Sequence, residues 1–377
     1  MRFRLPPYWP ALLLFCGLVL PHMARAAITV TDMAGRQVTL AAPPQRIALQ
    51  DGRIALDLAL LDRSQPFARV VVWNNLLKRF EPNQWSVLVK NWPAVAKIPD
   101  MGFDDNGSVN LEELIAARPQ LLVAELRARP ILEQQGVMRT LAQLGIPVLF
   151  VDDSEHPVPD AARSVTLLGQ VLGREAEAKA YVDFYDDHWA ALDKIIAAQP
   201  QPRPLVFVNV LAGQNDAGGC CFTHGDFGWG LLVQAAGARN LGSALLRTPA
   251  GPVSMEAVLA AQPNVLVMTG RAPSNTLVPM GYDTNETAAG VRLRALTQRP
   301  GFTALKAATD GQVYALYHPF YSSVFNIIGL EYLAKYIYPQ AFAALHPGQD
   351  YASIIAQFTD LPPSPVLLGI RMPAHGG

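Results

Sequence analysis

Charge is scarce in this chain of 377 residues: Asp, Glu, Lys and Arg together make up 16%, against an apolar share of 50% and a formal net charge of −1. A soluble domain ordinarily carries about 25% charged residues, so the scarcity first raises the question of membrane residence. Long apolar runs are lacking too. The stretch from Ala11 to Leu20 falls short of the roughly 20 residues that a bilayer-spanning helix needs, and elsewhere Pro, Gly or charge interrupts apolar runs of strand length. The pattern therefore reads as buried strands of a large core. So much apolar surface with so little net charge excludes disorder, and the absence of a basic excess leaves no electrostatic footprint for nucleic acid. Enzymatic signatures are missing as well. There is no Gly-x-Ser-x-Gly elbow, no His-Glu-x-x-His pair and no phosphate-cradling loop. Asp226-Phe227-Gly228 copies a kinase tripeptide without the other kinase elements.

What apolar run there is has a simple explanation. Arg2 and Arg4 precede it and Ala24-Arg25-Ala26 follows as a small-x-small cleavage signal, so residues 1–26 are expected to be a secretory signal peptide. The mature chain then starts near Ala27, exported and soluble. Loss of Arg2, Arg4 and Arg25, three positive charges with no acid among them, takes the formal charge from −1 to −4. Cysteine is nearly absent: of three, Cys16 goes with the leader, leaving the neighbours Cys220 and Cys221. An oxidising compartment permits a vicinal disulfide, and Gly218-Gly219 allows the unusual backbone it needs. Two reduced thiols in a loop remain the other reading, and adjacent cysteines lack the spacing of a structural zinc site.

The chain contains one unit twice. Ser108–Val123 and Pro252–Val267 each comprise a polar cap, a short amphipathic helix, a proline stop and an apolar strand. Asn110 and Ser254 are good N-caps, Glu113 is placed to close a capping box, and Pro119 and Pro263 cannot continue a helix. A single repetition implies two related lobes rather than a solenoid. Strands are expected at 46–50, 68–72, 121–124 and 147–152 in the first lobe, and at 205–210, 265–268 and 313–317 in the second. Helical patterns at 131–144 and 227–236 supply crossovers of a parallel sheet. A third helical pattern, 324–337, follows the last strand. Residues 160–198 have helical periodicity, with Gly169 and Gly173 as weak points that allow two helices. The fold class is thus α/β: two Rossmann-like lobes with parallel sheets joined by a long backbone helix. The divisions are 27–159, an interlobe helix at 160–199, and 200–377 with C-terminal helices.

The leader, the motif from Ile28 to Val38, Pro44-x-Arg46-Ile47, the two Glu-bearing repeats and the interlobe helix resemble, in order and spacing, the class III periplasmic substrate-binding proteins of ABC importers. These serve ferric siderophores, haem and cobalamin. The resemblance covers essentially the whole mature chain and implies a periplasmic, non-enzymatic monomer. It also implies a ligand held between two lobes with limited closure, and no intrinsic cofactor beyond a ligand containing Fe(III). It gives roles to Glu112 and Glu256, in the first turns of equivalent helices, as docking points for arginines of the permease. A dipole-stabilised surface carboxylate is the bland alternative.

Ligands of open α/β sheets bind beyond the carboxyl ends of the strands. That rule selects Asp51 and Arg53, Trp73 and Asn74, and Arg127 with Arg129 in the first lobe. In the second it selects Asn215, the loop reaching His224, Arg271, and His318 with Tyr321. Arginines suit an anionic chelate because guanidinium forks onto carboxylate or catecholate oxygens. Arg127 and Arg271 occupy equivalent places after the repeated strand. Trp73, Trp229, Tyr282 and Tyr321 are candidates for flat contact surface. His318 and Tyr321 are also candidate metal ligands, as in haem relatives, although a strand end and a packing ring are the plainer explanation of them. The expected ligand is a ferric siderophore or related metal chelate. Haem or cobalamin is the alternative on the same fold, an exported metal-dependent hydrolase a distant one, and an envelope scaffold or sensor a third class.

Overall fold

The computed structural model describes residues 27–102, 108–214 and 220–373; the expected leader, Asn215 and Gly218-Gly219 lie outside them. Two sheets organise the chain. In the first, the parallel strands Ile47–Leu49, Val70–Trp73, Leu121–Glu125 and Val148–Val151 lie in the order second, first, third, fourth. In the second, Leu205–Asn209, Arg239–Asn240, Val265–Gly270 and Val313–Tyr317 repeat that order, and Gly369–Arg371 is added antiparallel at the edge. Every residue of Leu121–Glu125, Val265–Gly270 and Val313–Tyr317 is buried. Helices on both faces of a parallel sheet explain why these strands are apolar throughout rather than alternating. No helix among the described residues is long and apolar enough to cross a membrane.

The repeated unit is repeated in space. Asn110 caps Leu111–Ala116 by accepting from the amides of Glu112 and Glu113, and Ser254 caps Met255–Ala261 by accepting from Ala257. Each unit then turns on a left-handed, non-glycine residue immediately before its proline, Arg118 at φ 47° and Gln262 at φ 46°. Such residues are disfavoured, and here neighbouring contacts hold them. Arg46 Nε donates to the Arg118 carbonyl, while the Gln262 side chain accepts from the amide of Lys306 and donates to the Ala304 carbonyl.

Two helical expectations change in detail. The 131–144 pattern is two helices, Arg129–Gln134 and Val137–Gln143. The interlobe segment is also two, Pro157–Leu172 and Glu175–Ala197, packed against each other. Its two glycines divide the labour. Gly173 adopts φ +66° and ends the first helix. Gly169 lets the second helix approach, since a β-carbon there would collide with Ala178. Gly173→Ala should therefore cost about 1–2 kcal/mol through its left-handed backbone, and Gly169→Ala about 1–3 kcal/mol through overpacking. Urea unfolding midpoints measure both, and wild-type stability in either variant would contradict this account of the helix break.

Candidate ligand-binding site

The carboxyl ends of the strands deliver the polar groups. Beyond Ile47–Leu49, Asp51 caps a single 3-10 turn that carries Arg53. Beyond Leu121–Glu125, another such turn carries Arg127, and Arg271 follows Val265–Gly270 at the equivalent place. Val313–Tyr317 runs into the turn His318–Ser322, which presents His318, Tyr321 and Ser322. His224 ends the short strand Phe222–His224.

Asp51 is fully buried and accepts from both first-lobe arginines. Arg53 donates through its amide at 2.9 Å, Nε at 3.0 Å and Nη2 at 2.5 Å, and Arg127 through Nη2 at 2.7 Å. Burial alone would raise this carboxyl, but the charge and hydrogen bonds of Arg53, with the charge of Arg127, bring it down to about 2. The carboxyls behind it behave oppositely. Burial pushes Asp57, Glu125 and Asp153 well above the ordinary range, and repulsion among them and from Asp51 adds to it. Asp51 is thus the carboxyl of this group that its arginines hold low, and it anchors both Arg53 and Arg127.

Contacts between the two halves surround these groups. Arg53 Nη1 donates to Ser322 Oγ at 2.9 Å, Tyr317 donates to Glu81 Oε2 at 2.6 Å, and the Gly228 amide donates to the Ser154 carbonyl at 3.1 Å. The guanidinium of Arg271 lies 4.4 Å from the centre of the Phe80 ring, and it has no ion pair with a described residue. Tyr321 stands between the two imidazoles, 5.0 Å from His224 and 4.9 Å from His318 by ring centroids. Gly228 leaves room for that arrangement, because a β-carbon there would lie 2.6 Å from the Tyr321 ring and 2.9 Å from His224 Nδ1.

Hydrogen bonding decides the tautomers. Burial brings His224 down to about 3 and, helped by Arg271, holds His318 well below its usual value, so both rings are neutral. His224 Nδ1 accepts from the Trp229 amide at 3.2 Å, which places its proton on Nε2. His318 Nδ1 is 3.1 Å from Thr269 Oγ1, which itself accepts from the Leu211 amide. The buried Thr269 hydroxyl needs an acceptor, His318 Nδ1 supplies it, and the proton of His318 likewise sits on Nε2. In these tautomers both rings offer N–H donors rather than metal lone pairs.

Several expected contacts are not cleft surface. Trp73 is fully buried, packed edge-on to Phe67 and tilted against Trp85. Trp229 is equally buried, and Tyr282 bonds Tyr351 in the core. The last residues of buried strands and first residues of covering helices turn inward, which reverses the expectation for these rings. Asn74 bonds backbone carbonyls of Gln50 and Ser108, and Arg129 pairs with Glu133 on its own helix. The sulfurs of Cys220 and Cys221 adjoin at bonding range, with Cys221 buried at φ 83°. Glu112 and Glu256 are exposed in their helical first turns. The expectations missed Glu81, Phe80, Ser322 and the buried carboxyls Asp57, Glu125 and Asp153. Only the acidic Glu125 at a strand end carried a local signal.

Glu81 yields a pH test. Burial raises it from 4.5 to about 8 against the opposing pull of Tyr317, Arg271 and Arg53. Because the folded-state value is the higher one, its stabilising contribution is full below about pH 4.5 and lost as pH rises through about 8. Asp51 acts in the opposite sense and below pH 3.8, outside that window. Between pH 5 and 9, wild type should lose on the order of a few kcal/mol relative to Glu81→Gln in urea unfolding. Parallel profiles would refute the assignment.

The family model described as "Periplasmic binding protein" matches residues 78–318. No curated protein matches significantly. Among solved structures, the TroA-like periplasmic binding protein FepB from Veillonella parvula is 23% identical with a TM-score of 0.81, over 92% of this chain and 100% of that one. The molybdate-bound MolA of Haemophilus influenzae is 18% identical with a TM-score of 0.65, over 88% and 97%. A periplasmic heme binding protein from Pseudomonas aeruginosa is 21% identical with a TM-score of 0.53, over 79% and 94%. With a family match spanning both repeated units and a shared two-lobed fold, the chain belongs to the class III periplasmic binding proteins, the non-enzymatic substrate-binding components of ABC importers.

Proposed function

We propose that the protein captures a ferric siderophore or related anionic metal chelate in the cleft between its lobes and delivers it to an ABC permease. The observation that carries this reading is that the cleft offers donors. Arg271 forms no ion pair with a described residue, and its carboxyl neighbour Glu81 is raised by burial to about 8; Arg127 gives Asp51 only one of its nitrogens, and His224, His318 and Tyr321 add N–H and O–H groups. Such a set suits the clustered anionic oxygens of a chelate that already satisfies its iron. His318 then binds the chelate rather than the Fe(III) within it, and Tyr321 is the remaining group able to reach the metal. The aromatic contact surface is Tyr321 with Phe80, in place of Trp73.

The same reading assigns residues 1–26 to export and the connecting helices to restraint of lobe movement between 27–159 and 200–377. It assigns Glu112 and Glu256 to the permease. Their support is geometric: both are exposed, both follow a side-chain cap, and they occupy matching turns of the duplicated unit.

Tryptophan-fluorescence titration against ferric hydroxamates, ferric catecholates, ferric citrate, molybdate, haem and cobalamin tests the ligand class. A ferric chelate should bind most tightly, and Arg271→Ala should weaken it about 10- to 100-fold, since a hydrogen bond to a charged group contributes about 1.5–3 kcal/mol. Preference for haem, cobalamin or molybdate would overturn the chelate assignment. Charge reversal of Glu112 and Glu256 together should abolish uptake by cells while leaving this titration unchanged, and a matching loss of affinity would remove them from docking.

A further inference from the structure

Away from the cleft, the second interlobe helix meets the C-terminal helices around an unused polar cluster. His188 lies on Glu175–Ala197, Glu331 on Asn326–Ile337 and Asp350 on Pro347–Phe358. All three line one cavity of about 530 Å³. His188 Nδ1 is 2.7 Å from Glu331 Oε1, and one nitrogen or oxygen from each of the three side chains lies within 4.8 Å of the others. Glu331 is fully buried, and no N–H group reaches its second oxygen, Oε2. Burial pushes Glu331 up to about 7 against the hydrogen bond to His188, while the negative charge of Asp350 and a hydrogen bond between the two carboxyls add to it. Lys335, one turn further along the same helix, donates to the Leu345 carbonyl. A buried carboxyl, a second carboxyl facing it and an imidazole thus converge on one space from three helices.

We infer that His188, Glu331 and Asp350 bind one divalent transition-metal cation of the zinc class, pinning the interlobe helix to the two C-terminal helices. One imidazole nitrogen and two carboxylate oxygens match the ligand types of zinc, and three protein ligands leave a fourth position for water. Calcium and magnesium favour all-oxygen sites, so the imidazole selects against them. The ligand atoms must draw together to about 3.3 Å apart for metal–ligand bonds of about 2.0–2.2 Å. The half-exposed His188 and Asp350 are the members able to shift. The cation takes the place of the proton between His188 and Glu331, which leaves to solvent.

The test is calorimetric titration of the chelator-stripped mature chain with zinc chloride. Wild type should bind one equivalent. His188→Ala and Asp350→Asn should each weaken binding at least tenfold, with the circular dichroism spectrum unchanged. Asp350→Asn lies at the cavity edge and provides the reading if His188→Ala fails to fold. Anomalous scattering from zinc-soaked crystals should place the metal among the three side chains. Equal affinity in wild type and Asp350→Asn, no binding at 0.1 mM zinc, or a peak elsewhere overturns the site.

Discussion

One ionised carboxylate, Asp51, organises the first lobe's share of the cleft. Taken out of water alone it would be protonated or expelled; with two guanidinium groups upon it, it stays charged and holds both in place. Its negative charge in turn adds to the upward shift of Asp57, Glu125 and Asp153. Arg53, tethered by it, reaches Ser322 in the other half. Removing Asp51 would strand two cations and relax the constraint on three acids, so its influence extends well beyond its own hydrogen bonds.

The second lobe sets a single guanidinium, Arg271, beside neutral groups. There the imidazoles are discharged by burial, and backbone and hydroxyl donors fix which nitrogen carries the proton. Guanidinium groups thus come from both lobes, Arg53 and Arg127 from the first and Arg271 from the second, and stand beside neutral hydrogen-bonding groups.

The fold was legible because its signals were local. Cap, helix, proline and apolar strand recur in one short span, and their duplication predicted two lobes with matching strand order. Arg127 and Arg271 were legible for the same reason. Burial direction was not: nothing adjacent to Trp73 tells whether a strand's final ring faces the cleft or the core, and here Phe67 and Trp85 claim it. Nor was Glu81 legible, since its partner Tyr317 is 236 residues away and only the closed chain makes them neighbours. The helix break at Gly173 and the close approach at Gly169 were visible as weak points, but their different reasons required the packed helices.

The segment ending at Gly228 gives its amide to Ser154 of the opposite lobe and its missing side chain to the meeting of Tyr321 and His224. Approach of the lobes and alignment of the donors therefore share one stretch of backbone. The contact between the two halves and the seat of the imidazole therefore cannot be varied independently: a substitution that loosens one disturbs the other.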